Sequence, residues 1–177
     1  MHPRAAYYEN CVATTWRAVV RSRMVKRERA KRRLAASTVP RRSPLTARKL
    51  PPPAVLIVDD DADARLIYSQ YLRSKGCVVF TATDGRIALE KAKTLGPDVV
   101  VMDLAMPRVD GFEAIRRLRE SSWTRRLPIV AISALPLSQA DALRAGCDAF
   151  LAKPVDPEVL WLQVQSMLRR GDIPSVS

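Results

Sequence analysis

Histidine is nearly missing from this chain: among 177 residues only His2 carries an imidazole. The three cysteines, Cys11, Cys77 and Cys147, lie far apart without metal-type spacing, so no zinc quartet can be assembled. Thiols this sparse suit a reducing, cytoplasmic setting, and read most simply as small, partly buried residues. Long apolar runs are lacking too. None approaches the roughly 18 residues of a membrane span. The short apolar pair Val19 and Val20 is bracketed by Arg17 and Arg21, which excludes a secretory core segment. A soluble chain retained inside the cell is expected.

Positive charge is abundant, but only at one end. The formal net charge is +12, and residues 1–50 hold 14 Lys and Arg against two acids, whereas residues 51–177 hold 16 of each sign. The basicity that would suggest nucleic acid or an acidic membrane therefore belongs to the first 50 residues alone. Residues 21–33 are dense in like charge and residues 37–49 are rich in Pro, Ser, Thr and Arg. Self-repulsion and poor burial predict a disordered basic extension. Residues 11–36 offer only a short basic helical pattern, with Val12, Trp16, Val19 and Val20 near one face. Pro51, Pro52 and Pro53 then make a stiff linker. With 47% hydrophobic residues the chain can bury one core, expected over residues 54–170 with a short tail at 171–177.

Beyond the prolines the hydrophobic period keeps switching. Residues 55–58, 77–82, 99–102, 129–132 and 149–152 read as strands, several of them apolar throughout, as a parallel sheet covered on both faces requires. Between them Ala64, Ile67, Tyr68, Tyr71 and Leu72 follow helical spacing, closed by Gly76. Leu160, Val164, Met167 and Leu168 repeat it behind Asp156, an N-cap candidate, and Pro157. Asp84 and Asp110 are further cap candidates. Five strands alternating with five helices predict an α/β fold with a doubly wound, five-stranded parallel sheet.

Ligands of such sheets bind at the carboxyl ends of the strands, and the reactive residue types of this sequence gather there. The first strand ends in Asp59 and Asp60, the third in Asp103, the fourth in Ser133 and Ala134, the fifth in Lys153 and Pro154. An oxygen-only donor set suits a hard cation such as Mg²⁺. Taken alone, the aspartates of residues 59–63 would read as helix caps and solvated charge; Asp103 and Lys153 turn the reading toward metal. A calcium loop is excluded, because Ala64 stands where its Gly belongs and Gln70 where its Glu belongs. Asp110 and Gly111 read as a turn and helix start.

Four blocks, VLIVDDD (55–61), VVVMDLAMPRVDG (99–111), IVAISA (129–134) and FLAKP (150–154), resemble in order and spacing the signatures of response-regulator receiver domains. The resemblance covers roughly residues 54–170. It implies a flavodoxin-like (βα)5 receiver fold, like that of chemotaxis regulators, and a phosphoacceptor switch rather than an enzyme. Carried over, it implies that Asp60 and Asp103 ligate Mg²⁺ directly, that Asp59 acts through water, and that the backbone carbonyl of Ala105 completes the set. Asp103 would accept the phosphoryl group. Lys153 would pair with its oxygens, Ser133 would donate a hydrogen bond to one of them, and small Ala134 would leave the pocket open. The Lys153–Pro154 peptide is expected to be cis. Phe150 would swing inward when Ser133 is drawn to the phosphoryl group, reshaping the face of the fourth helix, fifth strand and fifth helix.

The implied donor is a phosphohistidine on a sensor histidine kinase or a histidine phosphotransfer protein, or a small acyl phosphate. Because only a few residues follow the last helix, a single-domain response regulator of a two-component or phosphorelay system is expected, with output by contact with a downstream protein. Two alternatives stand beside it: a phosphorylation-independent docking module, and a regulator that touches DNA through residues 11–49. For those basic residues an anionic lipid contact is also open, and an organellar transit peptide is disfavoured by the receiver that follows. Residues 133–153 span less than is usual in the family, by roughly half a helical turn, so the fourth helix, starting near Ser138, is expected to be abbreviated. Ala105 and Leu135, the positions that influence water attack in this family, are both apolar. Slow hydrolysis of the phosphoryl group follows.

Overall fold

The structure, a computed structural model, describes residues 51–106, 111–134 and 139–171. The expectations about residues 1–50, Asp110, Leu135, Ser138 and the end of the tail lie outside these residues.

Five strands, β1 (Ala54–Val58), β2 (Val78–Ala82), β3 (Val99–Asp103), β4 (Ile129–Ser133) and β5 (Ala149–Ala152), alternate with α1 (Ala62–Ser74), α2 (Gly85–Leu95), α3 (Gly111–Glu120), α4 (Gln139–Ala145) and α5 (Pro157–Gly171). All strand pairs are parallel, in the order β2-β1-β3-β4-β5. This is the doubly wound, flavodoxin-like arrangement, with its switch point between β1 and β3. β1, β3 and β4 are buried along their whole length, which is why they show as continuous apolar runs rather than alternations.

Alternate residues feed two cores. Leu56, Val58, Val100 and Met102 pack under α2, α3 and α4. Val55, Ile57, Val99 and Val101 pack under α1 and α5, with Leu160, Val164 and Met167 facing them as their spacing predicts.

The helix starts are written in side chains. Asp84 accepts a hydrogen bond from the Ile87 N–H at 2.8 Å and Asp156 from the Glu158 N–H at 2.7 Å, both as expected. Asp61 caps α1 through the Asp63 N–H at 2.9 Å. Gly76 follows α1 at φ +87°, a conformation that suits Gly. The strand predicted from residue 77 begins one residue later, because the Cys77 N–H turns back to the Leu72 carbonyl of α1.

One face differs from its pattern. α1 buries Tyr68, Ser69 and Leu72, while Ile67 stays 53% exposed. The helix rests on the sheet and against α5, so its buried stripe is rotated toward small Ser69 and away from Ile67. The described part of α4 is seven residues long; its expected start near Ser138 lies outside the described residues. No helix among the described residues is long and apolar enough to cross a membrane.

Candidate functional site

β1 and β3 are neighbours in a register that sets Val58 beside Met102, so the next residues, Asp59 and Asp103, emerge side by side at the carboxyl edge. One carboxylate oxygen from each of Asp59, Asp60 and Asp103 lies within 4.8 Å of the others. Lys153, just past β5, reaches across the edge of β4 to this cluster. Its Nζ stands 2.9 Å from Asp59 Oδ2 and 2.7 Å from Asp103 Oδ2. Backbone amides fix the remaining oxygens: the Asp61 N–H donates to Asp59 Oδ1 at 2.8 Å and the Ala105 N–H to Asp103 Oδ1 at 2.9 Å.

Asp59 and Asp103 are only 3% and 4% exposed, whereas Asp60 faces solvent. Burial pushes the Asp59 carboxyl above the ordinary carboxylate range, against the hydrogen bonds from Lys153 and the Asp61 amide. Burial by itself would lower Lys153, but its hydrogen bonds and charge contacts with Asp103 and Asp59 hold it above the ordinary lysine value. The ammonium is therefore retained at neutral pH. One ammonium against three carboxylates leaves a negative pocket of hard oxygen donors without nitrogen or sulfur ligands. Such a donor set fits Mg²⁺.

The family model of the response regulator receiver domain matches residues 55–165, from β1 into α5. The chain belongs to this family. The receiver is 36% identical over 122 residues to RpaA of Synechocystis sp., described as a DNA-binding dual master transcriptional regulator; the match covers 68% of this chain and 51% of RpaA. The chain thus spans about half the length of that curated relative. The solved structure of the chemotaxis protein CheY4 of Vibrio cholerae superposes with a TM-score of 0.63 at 34% identity, covering 66% of this chain and 99% of that one. The receiver domain of sensor histidine kinase PA1611 of Pseudomonas aeruginosa, with a magnesium ion coordinated in its active-site cleft, superposes with a TM-score of 0.62 at 31% identity, covering 67% of this chain and 98% of that one. Receiver domains of response regulators are phosphoacceptor modules of two-component signalling, and bind Mg²⁺ in an acidic site.

In this receiver Ser133 ends β4 fully buried, and its carbonyl accepts the Lys153 N–H at 2.9 Å, which ties the ends of β4 and β5 together. The Lys153–Pro154 peptide is cis, as expected. Ala105 joins the cluster through its amide. Phe150 stands apart: it pairs with Ala131 in the sheet and lies half-buried against the core under α3 and α4.

Several site neighbours escaped the sequence. Arg65 donates to the Asp59 carbonyl at 2.7 Å, yet in the sequence it is one arginine among many. A Cβ on Gly111 would run into the Asp103 carbonyl oxygen and lie 2.8 Å from Leu104 Cα, so only Gly lets α3 start this close to the end of β3. Tyr68 was legible as core but not as a hydrogen-bond donor to the loop beyond Lys153.

Proposed function

We propose that this receiver takes a phosphoryl group on Asp103, with Mg²⁺ held directly by Asp60 and Asp103, through water by Asp59, and by the backbone carbonyl of Ala105. The observation that carries the reading is the Lys153 ammonium seated between the Asp59 and Asp103 carboxylates. A bound Mg²⁺ supplies charge neutralisation for the incoming phosphoryl group.

The chain's own residues do the rest. The Ala105 amide holds Oδ1 of Asp103, and Oδ2, the oxygen beside Lys153, serves as the nucleophile, because there the ammonium stands next to the incoming group. As the new O–P bond forms and the bond to the donor's leaving group breaks, Lys153 transfers its hydrogen bonds to the phosphoryl oxygens. Ser133 donates to another of these oxygens. Phe150 then moves toward the space that Ser133 leaves, and the surface formed by α4, β5 and α5 changes shape. The phenyl ring has no hydroxyl, so its inward position leaves no unpaired polar group.

The donor in this reading is a phosphohistidine on a sensor histidine kinase or histidine phosphotransfer protein in the cytoplasm, and the output is contact with a downstream protein. In this reading the receiver occupies residues 54–170, after a basic extension and the Pro51–Pro53 linker, and acts as a single-domain response regulator.

The test is incubation with phosphoramidate, with Mg²⁺ or with excess EDTA, followed by intact mass. A gain of about 80 Da, one phosphoryl group, is expected only when both metal and Asp103 are present. An equal gain in Asp103→Asn, or none in the folded parent, overturns the assignment. Phosphoryl lifetime follows from Ala105, which has no polar atom in its side chain with which to orient water, and from Leu135, which lies outside the described residues. The double variant Ala105→Asn, Leu135→Glu is expected to lose its phosphoryl group faster than the parent in a chase after donor removal. Equal decay rates would remove the argument.

A further inference from the structure

Tyr68 places a hydroxyl inside an otherwise apolar core. It is 7% exposed on α1 and packs in the cluster of Ile57, Val101, Ile132 and Leu160. An aliphatic residue would bury as well without a polar tip that must find a partner. The tip finds one on the loop between β5 and α5, where the Tyr68 hydroxyl donates to the Val155 carbonyl oxygen at 3.2 Å.

Val155 is two residues beyond Lys153, on the segment that aims the ammonium into the site. That segment is held at both ends. At one end the Lys153 N–H donates to the Ser133 carbonyl at 2.9 Å. At the other, Asp156 accepts the Glu158 N–H on its side chain at 2.7 Å and the Leu160 N–H on its carbonyl at 3.0 Å. Tyr68 ties the middle to α1, from 87 residues away in the chain. The phenol also lies within electrostatic reach of Lys153, Asp59 and Asp103, so it stands beside the site without touching its reacting atoms. A lysine ammonium rides on a flexible four-carbon stem, and its placement depends on how firmly its own backbone is anchored. Small misplacements of a charge that stabilises a transition state slow the reaction steeply.

We infer that Tyr68 is a positioning residue for phosphoryl acceptance: its hydroxyl anchors Val155, and thereby holds the Lys153 ammonium where it meets Asp103 and the incoming group. The inference rests on Asp103 as acceptor and Lys153 as its partner.

Tyr68→Phe keeps the ring and removes only the hydroxyl. The rate of phosphoryl incorporation from phosphoramidate at saturating Mg²⁺ is read in the parent, Tyr68→Phe, Lys153→Ala and the double variant. Tyr68→Phe is expected to slow incorporation about fivefold when Lys153 is present, the rate equivalent of one ordinary hydrogen bond, and to change nothing when Lys153 is absent. The same slowing in both backgrounds, or a Tyr68→Phe rate equal to the parent's, overturns the positioning role while leaving Asp103 as acceptor. A folded parent that takes no phosphoryl group sinks both readings. Should Lys153→Ala react too slowly to time, the Mg²⁺ dissociation constant completes the same cycle. Freeing the ammonium that competes for the carboxylates is expected to tighten Mg²⁺ about threefold with Lys153 present and not at all without it. A shift that persists without Lys153 counts against the inference.

Discussion

Burial pushes the Cys77 thiol from its ordinary value of 9.0 up to about 11, with the Asp98 charge adding to the rise. In the unfolded chain the same thiol ionises near its ordinary value. Between pH 9 and about 11 the unfolded chain therefore loses a proton that the folded chain keeps, and stability falls as pH rises through that window. The effect is on the order of 2 kcal/mol at its upper end. Urea midpoints measured across this range are expected to decline less steeply for Cys77→Ala than for the parent; parallel slopes would remove Cys77 as the cause. Ser69 makes a different residue-scale case. Its hydroxyl is buried on α1 and has no hydrogen-bond partner among the described residues. Ser69→Ala is expected to raise stability by about 1 kcal/mol, read from chemical denaturation. A loss of stability instead would mean that the hydroxyl is satisfied. Cys77 was legible in the sequence as a partly buried thiol, but its closeness to Asp98 was not, and nothing in the apolar spacing of α1 pointed to a buried Ser69.

At the scale of elements, the strands were legible because a two-sided parallel sheet demands unbroken apolar runs, and Val99 to Met102 or Ile129 to Ile132 have no other economical use. Asp84 and Asp156 were legible as caps because capping is a local transaction between a carboxylate and amides two or three residues on. Contacts between distant elements were not. Arg119 ends α3 within a run of arginines, yet it donates to the Gly146 and Leu127 carbonyls at 2.7 and 2.8 Å and to Asp148 Oδ2 at 2.8 Å. The same Asp148 oxygen accepts the N–H of Ile129 at 2.8 Å. One guanidinium thus joins α3, the entry to β4 and the turn before β5. Arg119→Lys cannot reproduce that fork and is expected to cost about 2 kcal/mol, against a negligible cost for Arg117→Lys, whose ion pair with Glu113 is exposed. Equal costs in thermal or urea unfolding would refute the distinction. Gly111→Ala is expected to destabilise by about 1–3 kcal/mol and to slow phosphorylation as well, because the methyl group would press on the backbone of Asp103 itself. The sequence showed that this Gly permits a turn, but not which backbone comes close to it.

Over the whole molecule, the strand order places β3 between β1 and β4 and so brings residues from three separate stretches of chain to one edge. The acidic cluster was readable in advance because strand ends are where such sheets bind; the seating of Lys153 on two carboxylates at once was not, since reach across β4 depends on backbone path. A pocket with three carboxylates and one ammonium should gain stability from a hard dication. At Mg²⁺ concentrations ten times its dissociation constant the folded state is expected to gain about 1.4 kcal/mol, visible as a rise in Tm that Asp60→Ala diminishes. A Tm insensitive to Mg²⁺ would argue against metal binding at this edge. Lys153 carries a last consequence. The chain brings its own counter-ion, already mostly shielded from water and already hydrogen-bonded to Asp103. On the proposed role of Asp103, a phosphoryl group arriving there inherits a partner that needs to travel only about the length of one hydrogen bond, roughly 3 Å, so the pocket answers new negative charge with little reorganisation.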